Sequence, residues 1–170
     1  EIGSGLVGSE MCIRDSYIQR IAQLTNKSNQ FNLTTLRCSE DDIRAMAGDK
    51  NDLCLCGKLV DKFGDNGIVT VVAGRQQGDV LDLTLWLMSC RVLKRGMEDA
   101  MMDTVVAEAA ARGVKTIVGH YYPTAKNAMV REFYAQYDFA KTAEDADGNT
   151  EWTLDVAAYT PKHPHMKIER

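Results

Sequence analysis

The chain has 170 residues, 45% of them hydrophobic, with 20 Lys+Arg against 24 Asp+Glu. That length and apolar content suffice for one core, and a net charge of −4 excludes a surface built to hold nucleic acid or acidic membrane. Apolar runs fall short of the roughly 18 residues of a membrane-spanning helix. Cys12, Cys38, Cys54, Cys56 and Cys90 lack paired CxxC spacing and read as reduced thiols of a cytoplasmic protein.

Residues 1–16, EIGSGLVGSEMCIRDS, have neither helical nor strand period and are expected to be a leader outside the fold. Residues 17–33 read as a helical linker, with Ile18, Ile21, Ala22 and Leu24 at helical spacing before a polar connector. The domain proper is expected over 34–157, and 158–170 as a tail. SEDDIRAMAG predicts a helix capped by Ser39 with Asp42 three residues on, its stripe of Ile43, Met46 and Ala47 ended by Gly48. LCLCGKLVDKFGDNGIVTVVAGR predicts two strands about a Gly64-Asp65-Asn66-Gly67 turn, with Cys54 and Cys56 on one face as buried small hydrophobes. VLDLTLWLMSC alternates strictly: Leu81, Leu83, Leu85 and Leu87 face one way, and Asp82, Thr84, Trp86 and Met88 the other.

From Gly96 to Arg112 a helix stripe of Met97, Met101, Val105 and Ala109 opposes Asp99, Asp103 and Glu108, and Gly113 ends it. KTIVGHYY is a strand. NAMVREFYAQYDF predicts a helix with Ala128, Phe133 and Tyr134 inward, and FAKTAED with NTEWTLDV a hairpin about Asp147-Gly148. The order implies an α/β (α+β) fold with a mixed, mostly antiparallel central sheet flanked by helices.

The stretch MSCRVLKRGMED sets Arg91, Lys94 and Arg95 around Gly96, between a strand and a helix. Backbone N–H groups at a helix start hold phosphate, and flanking cations add charge-assisted bonds, so this loop is a candidate diphosphate site; a solvated helix start is the alternative. Neither GxxxxGK[ST] nor GxGxxG is present, which argues against nucleotide hydrolysis and ordinary nicotinamide binding. Cys90, at the strand end beside Arg91 and Arg95, reads either as a thiolate acceptor or as a buried inert thiol. His120 reads as a base or as a structural histidine. His163 and His165 form an HxH without a third ligand, so no metal site is expected.

Arg91-Val92-Leu93-Lys94-Arg95-Gly96 resembles the R/Q-x-x-G-x-G/A pyrophosphate loop of the GNAT acyltransferases, with Lys94 at the first glycine. Asn127, Ala128, Tyr134 and Phe139 match the family's second motif, with Asp138 where its corner glycine stands, and the element order agrees from Leu33 to Val156. The resemblance implies a GNAT-like fold, CoA, acyl-CoA or phosphopantetheine held by residues 91–96 and Asn127, and Tyr134 as the acid that protonates a leaving thiolate. QLTNKSNQFNLTT, DKFGDNGIVTVV, LWLMSCRVLKRGME and YYPTAKNAMVREFY further resemble the C-terminal region of FkbH-like proteins, of haloacid-dehalogenase subfamily IIIC. That resemblance implies an acyl carrier protein as partner and a preceding phosphatase-like domain that loads glyceryl groups. Its DxDx[TV] motif has only the look-alike Val80-Leu81-Asp82-Leu83-Thr84 here, with Val80 at the nucleophile position. The first 16 residues resemble a translated sequencing adaptor of metagenomic gene predictions, implying a chain cut off there. A free-standing acetyl-CoA-dependent N-acetyltransferase and a non-catalytic carrier-docking module are the alternative functions.

Overall fold

The computed structural model describes residues 3–7, 15–61, 64–92 and 96–162. Its elements in chain order are β1 (Gly3–Val7), α1 (Asp15–Lys27), α2 (Glu40–Gly48), β2 (Asp52–Asp61), β3 (Gly64–Gln77), β4 (Val80–Met88), α3 (Met97–Ala111), β5 (Thr116–Tyr121), β6 (Ala140–Glu144) and β7 (Thr150–Asp155). They form one sheet in the order β1-β2-β3-β4-β5-β7-β6, antiparallel throughout except for the parallel pair β4 and β5.

Each face of the sheet carries a core. One is built on α3 with Met97, Met101, Val105 and Ala109 fully buried, the stripe expected from their spacing. The other places Ile18, Ile21 and Leu24 of α1 and Ile43 of α2 over Cys54, Cys56, Val71, Leu85 and Leu87. Residues 17–33 are therefore part of the domain rather than a linker, because the apolar stripe of α1 has the sheet to bury it. Gly3–Val7 pairs with β2 in register, Gly3↔Val60 to Val7↔Cys56, so part of the expected leader is an edge strand. Backbone pairing at an open edge needs no side-chain period.

Helix α2 starts as its sequence predicts. Asp42 N–H donates to Ser39 Oγ at 3.1 Å and Ser39 N–H to Asp42 Oδ2 at 2.8 Å, a reciprocal capping box. Those bonds, the Ser39 backbone bond foremost, hold the Asp42 carboxyl below its ordinary range. Its contribution is thus present above the unfolded carboxylate pKa and is lost as pH falls through the lowered one. Ser39→Ala is expected to lower stability by about 1 kcal/mol, the usual worth of such a cap, read as a shift in urea midpoint at constant slope.

Three expectations are corrected. The register Asp61↔Gly64 places the chain reversal before Gly64, so Gly64-Asp65-Asn66-Gly67 belongs to β3, where Gly64 and Gly67 take positive φ beside two register shifts. Residues 127–139 form two 3-10 turns, Ala128–Val130 and Tyr134–Tyr137, in place of one helix. Phe133 and Tyr134 are buried there as expected, but Ala128 is exposed. The alternation of β4 breaks at Thr84: Ala73 pairs with Leu85 and Gly74 with Leu83, so Thr84 is an extra residue. Leu81 and Leu83 consequently share the α3-side core with Trp86 and Met88, while Leu85 and Leu87 turn to the other. Gly74 makes room for this bulge, since a Cβ there would sit 2.8 Å from the Asp82 carbonyl oxygen.

Candidate functional site

Strands β4 and β5 pair only over Val80↔Thr116, Leu81↔Ile117 and Asp82↔Val118, and then part. The bulge at Thr84 follows at once, so the C-terminal half of β4 offers its backbone to a cleft. Two sets of side chains meet where the strands diverge.

On the open face, His120 Nε2 lies 2.6 Å from Asp82 Oδ1. Asp82 pairs with Val118, and His120, two residues on, shares that face, which is why the imidazole leans back onto the carboxylate. His120 is mostly buried and Asp82 half exposed. A cavity of about 410 Å³ over the pair is lined by Thr34, Leu36, Thr84 and Tyr122. A second, of about 380 Å³, shares His120 and Tyr122 and is bordered by Glu144, Asp145 and Glu151. The surroundings suit a neutral or cationic molecule, not an anion.

On the α3 face, the Tyr134 ring lies flat against Gly119, where a Cβ would come within 2.4–2.7 Å of three ring carbons. Trp86, Phe133 and Phe139 fence the ring at centroid distances of 6.4, 5.4 and 4.8 Å. Burial first, and then the charge of Asp82, push the Tyr134 phenol up from its ordinary value, so it holds its proton.

The cleft between the strands is filled by the chain itself. Leu33 N–H donates to the Trp86 carbonyl at 3.0 Å, Met88 N–H to the Phe31 carbonyl at 2.9 Å and Tyr122 N–H to the Leu33 carbonyl at 2.8 Å. Asn32 and Leu87 form an antiparallel bridge. Phe31, Asn32 and Leu33 are all buried, Phe31 edge-on to Phe133. Burying the two apolar side chains is worth about 1.5–3 kcal/mol each, so the segment is a firm part of this state.

Asn127, which the family resemblance assigns to ligand binding, is fully buried and its amide is saturated internally. Nδ2 donates to the carbonyls of Asn32 at 3.0 Å and Tyr122 at 2.9 Å, and Oδ1 accepts from Thr124 N–H at 2.7 Å and Tyr121 O–H at 3.2 Å. Two donors and two acceptor sites are all an amide has. In this state Asn127 holds the cleft-filling segment.

At the proposed phosphate end, Arg91 is exposed in a 3-10 turn, Cys90–Val92, and Val92 is buried in the core. Gly96 takes φ 84° as the residue before α3, a left-handed conformation suited to glycine. Leu93, Lys94 and Arg95 lie outside the described residues, as do His163 and His165. Arg20 of α1 approaches this end: burial, and then the positive charge of Arg91, hold its guanidinium below its ordinary value. Glu98 and Asp99 begin α3 and line an apolar recess of about 280 Å³ with Phe31 and Phe133. Cys90 is exposed rather than buried, and its thiol donates to Gln30 Oε1 at 3.2 Å. Among the described residues no group of three or more His, Cys, Asp or Glu is placed to hold a metal, and no helix is long and apolar enough to cross a membrane.

Sequence reasoning named His120 and Tyr134 as candidates but gave no site role to Asp82, Arg20, Gly119 or the segment Phe31–Leu33. An aspartate inside an otherwise apolar strand was the available signal for Asp82.

No family model and no curated protein matches the sequence. Solved structures do match the fold. A putative acetyltransferase of the GNAT family from Desulfovibrio desulfuricans superposes with TM-score 0.68 at 12% identity, over 92% of this chain and 99% of the other. The ribosomal-protein-S18-alanine N-acetyltransferase of Escherichia coli gives 0.65 at 13% identity, over 90% and 94%. The spermidine N-acetyltransferase of Vibrio cholerae, in complex with CoA and spermine, gives 0.64 at 8% identity, over 91% and 96%. The protein has the GNAT fold.

Proposed function

We propose that this chain is a GNAT-type acyltransferase domain that acts on thioesters of CoA or of carrier-protein phosphopantetheine. One observation carries the reading: in a GNAT fold, a protonated phenol on one sheet face and a carboxylate-held imidazole on the other flank the place where β4 and β5 part. A bound thioester would supply an activated acyl carbon. Arg91 and the backbone at Gly96 fit its phosphates, whereas the path along β4 is taken by residues 31–33. Asp82 accepts the proton on His120 Nε2, which leaves Nδ1 to take a proton from an incoming amine or hydroxyl. Tyr134 holds the proton that a leaving thiolate needs.

The finer reading, a fragment of an FkbH-like glyceryl transferase of polyketide-type biosynthesis with an acyl carrier protein as partner, rests on the four sequence stretches given above. The cysteines Cys38, Cys54, Cys56 and Cys90, read as reduced thiols, agree with a cytoplasmic setting. A non-catalytic carrier-docking module is favoured by the filled cleft. Titration with CoA and with holo and acylated carrier protein, followed by acyl-transfer assays on a panel of amines, separates these readings. Transfer from acetyl-CoA to amines supports the free-standing N-acetyltransferase, transfer requiring the carrier supports the carrier-dependent enzyme, and carrier binding without transfer supports docking alone. Absence of binding to either CoA or carrier overturns the proposal.

A further inference from the structure

We infer that Phe31–Leu33 is an internal competitor for the cleft between β4 and β5, fastened by Arg37, and that an extended pantetheine arm binds there only by releasing it. The inference rests on the reading of the cleft as a pantetheine site. The segment uses the Trp86 carbonyl and the Met88 N–H, the backbone groups that an extended molecule with amide groups would pair with at the parted edge of β4. It also spans the gap, since Leu33 bonds to both Trp86 and Tyr122.

The segment is the tip of a loop whose ends are tied together. Cys38 N–H donates to Thr25 Oγ1 at 3.0 Å, and Asn26 Nδ2 donates to the Cys38 carbonyl at 3.2 Å. The Arg37 guanidinium then closes the loop by donating to the carbonyls of Thr25 and Ser28 and to Asn29 Oδ1. Asn32 Nδ2 donates to the Ser28 carbonyl at 3.1 Å and its Oδ1 accepts from Thr35 N–H, so the tip is braced from the same place. A compact loop with adjacent ends, packed by its own side chains, can leave as a unit. Arg37 is exposed and contacts neither Tyr134 nor the Asp82–His120 pair, so weakening the clasp leaves those groups in place.

Pantetheine is the probe. Adding it in excess to the ¹⁵N-labelled wild-type chain is expected to speed amide exchange at Leu33, whose N–H leaves the Trp86 carbonyl, and at Tyr122, whose Leu33 acceptor departs with the loop, while Met88 stays protected by its new partner. Arg37→Ala is expected to bind pantetheine at least roughly tenfold more tightly, because charge-assisted bonds no longer hold the competitor. Phe31→Ala, which removes the buried anchor, should tighten binding as well, and it stands in if Arg37→Ala does not fold. Saturating pantetheine with Leu33 and Tyr122 still protected overturns the inference and leaves the acyl-pantetheine reading standing. Loop release without acyl transfer to any acceptor does the reverse. No binding by the wild type or either variant removes both.

Discussion

His120→Gln is expected to lower acyl transfer by roughly 100- to 10,000-fold, the usual worth of a positioned general base, while leaving the unfolding midpoint nearly unchanged. The imidazole is held by one close contact, Nε2 to Asp82 Oδ1 at 2.6 Å, and sits at a cavity edge rather than in the core. Glutamine keeps a polar group near the carboxylate but cannot take a proton. The loss should fall on kcat and kcat/KM together, with pantetheine affinity unchanged, because the role proposed for the residue is on the acceptor's proton. Asp82→Asn tests the positioning role: an amide that donates to Nε2 moves the imidazole proton to Nδ1 and disables the base without removing it. A His120→Gln enzyme of wild-type rate would place the chemistry elsewhere.

Gly119→Ala is expected to cost about 3 kcal/mol, at the upper end of what a forced methyl costs in a packed interior. The new Cβ would lie 2.4–2.7 Å from Cζ, Cε2 and Cε1 of Tyr134, and neither partner has room to yield. Gly119 is fixed in β5 by its register with Trp152 of β7, and the ring is fenced by Trp86, Phe133 and Phe139. Urea unfolding at constant slope measures the loss. In a Tyr134→Ala background the same change should be close to neutral, giving a coupling of about 3 kcal/mol, at the upper end of the range for residues in contact. Strict additivity of the two substitutions would show that the ring does not rest on Gly119.

The legible parts of this fold are those whose causes lie within a few residues. Ser39 caps α2 because Asp42 is three positions away, and the hairpin of β6 and β7 turns at residues 145–149 because Asp145 accepts from Gly148 and Asn149 there. Cys54 and Cys56 share a buried face because strand side chains alternate. The GNAT order of elements followed from such local signals and the motif resemblance. The local signals failed where partners far along the chain decide. Val80–Met88 alternates perfectly as text, yet pairing with β3 inserts Thr84 as a bulge and exchanges the faces of everything after it. Residues 127–139 have helical spacing, but the Asn127 amide is committed to the carbonyls of Asn32 and Tyr122, and the chain turns instead.

The site divides in the same way. By itself the sequence determined which side chains stand as candidates for chemistry, Tyr134 and His120 among them, because residue type and flanking elements are local properties. The tertiary structure alone decided that His120 is held by Asp82, 38 positions earlier, that Tyr134 needs the bare backbone of Gly119, and that Phe31–Leu33 lies in the cleft. Each of those depends on where two distant strands part, and the energy that sets such a junction comes from burial and backbone pairing summed over the sheet, which no local period records.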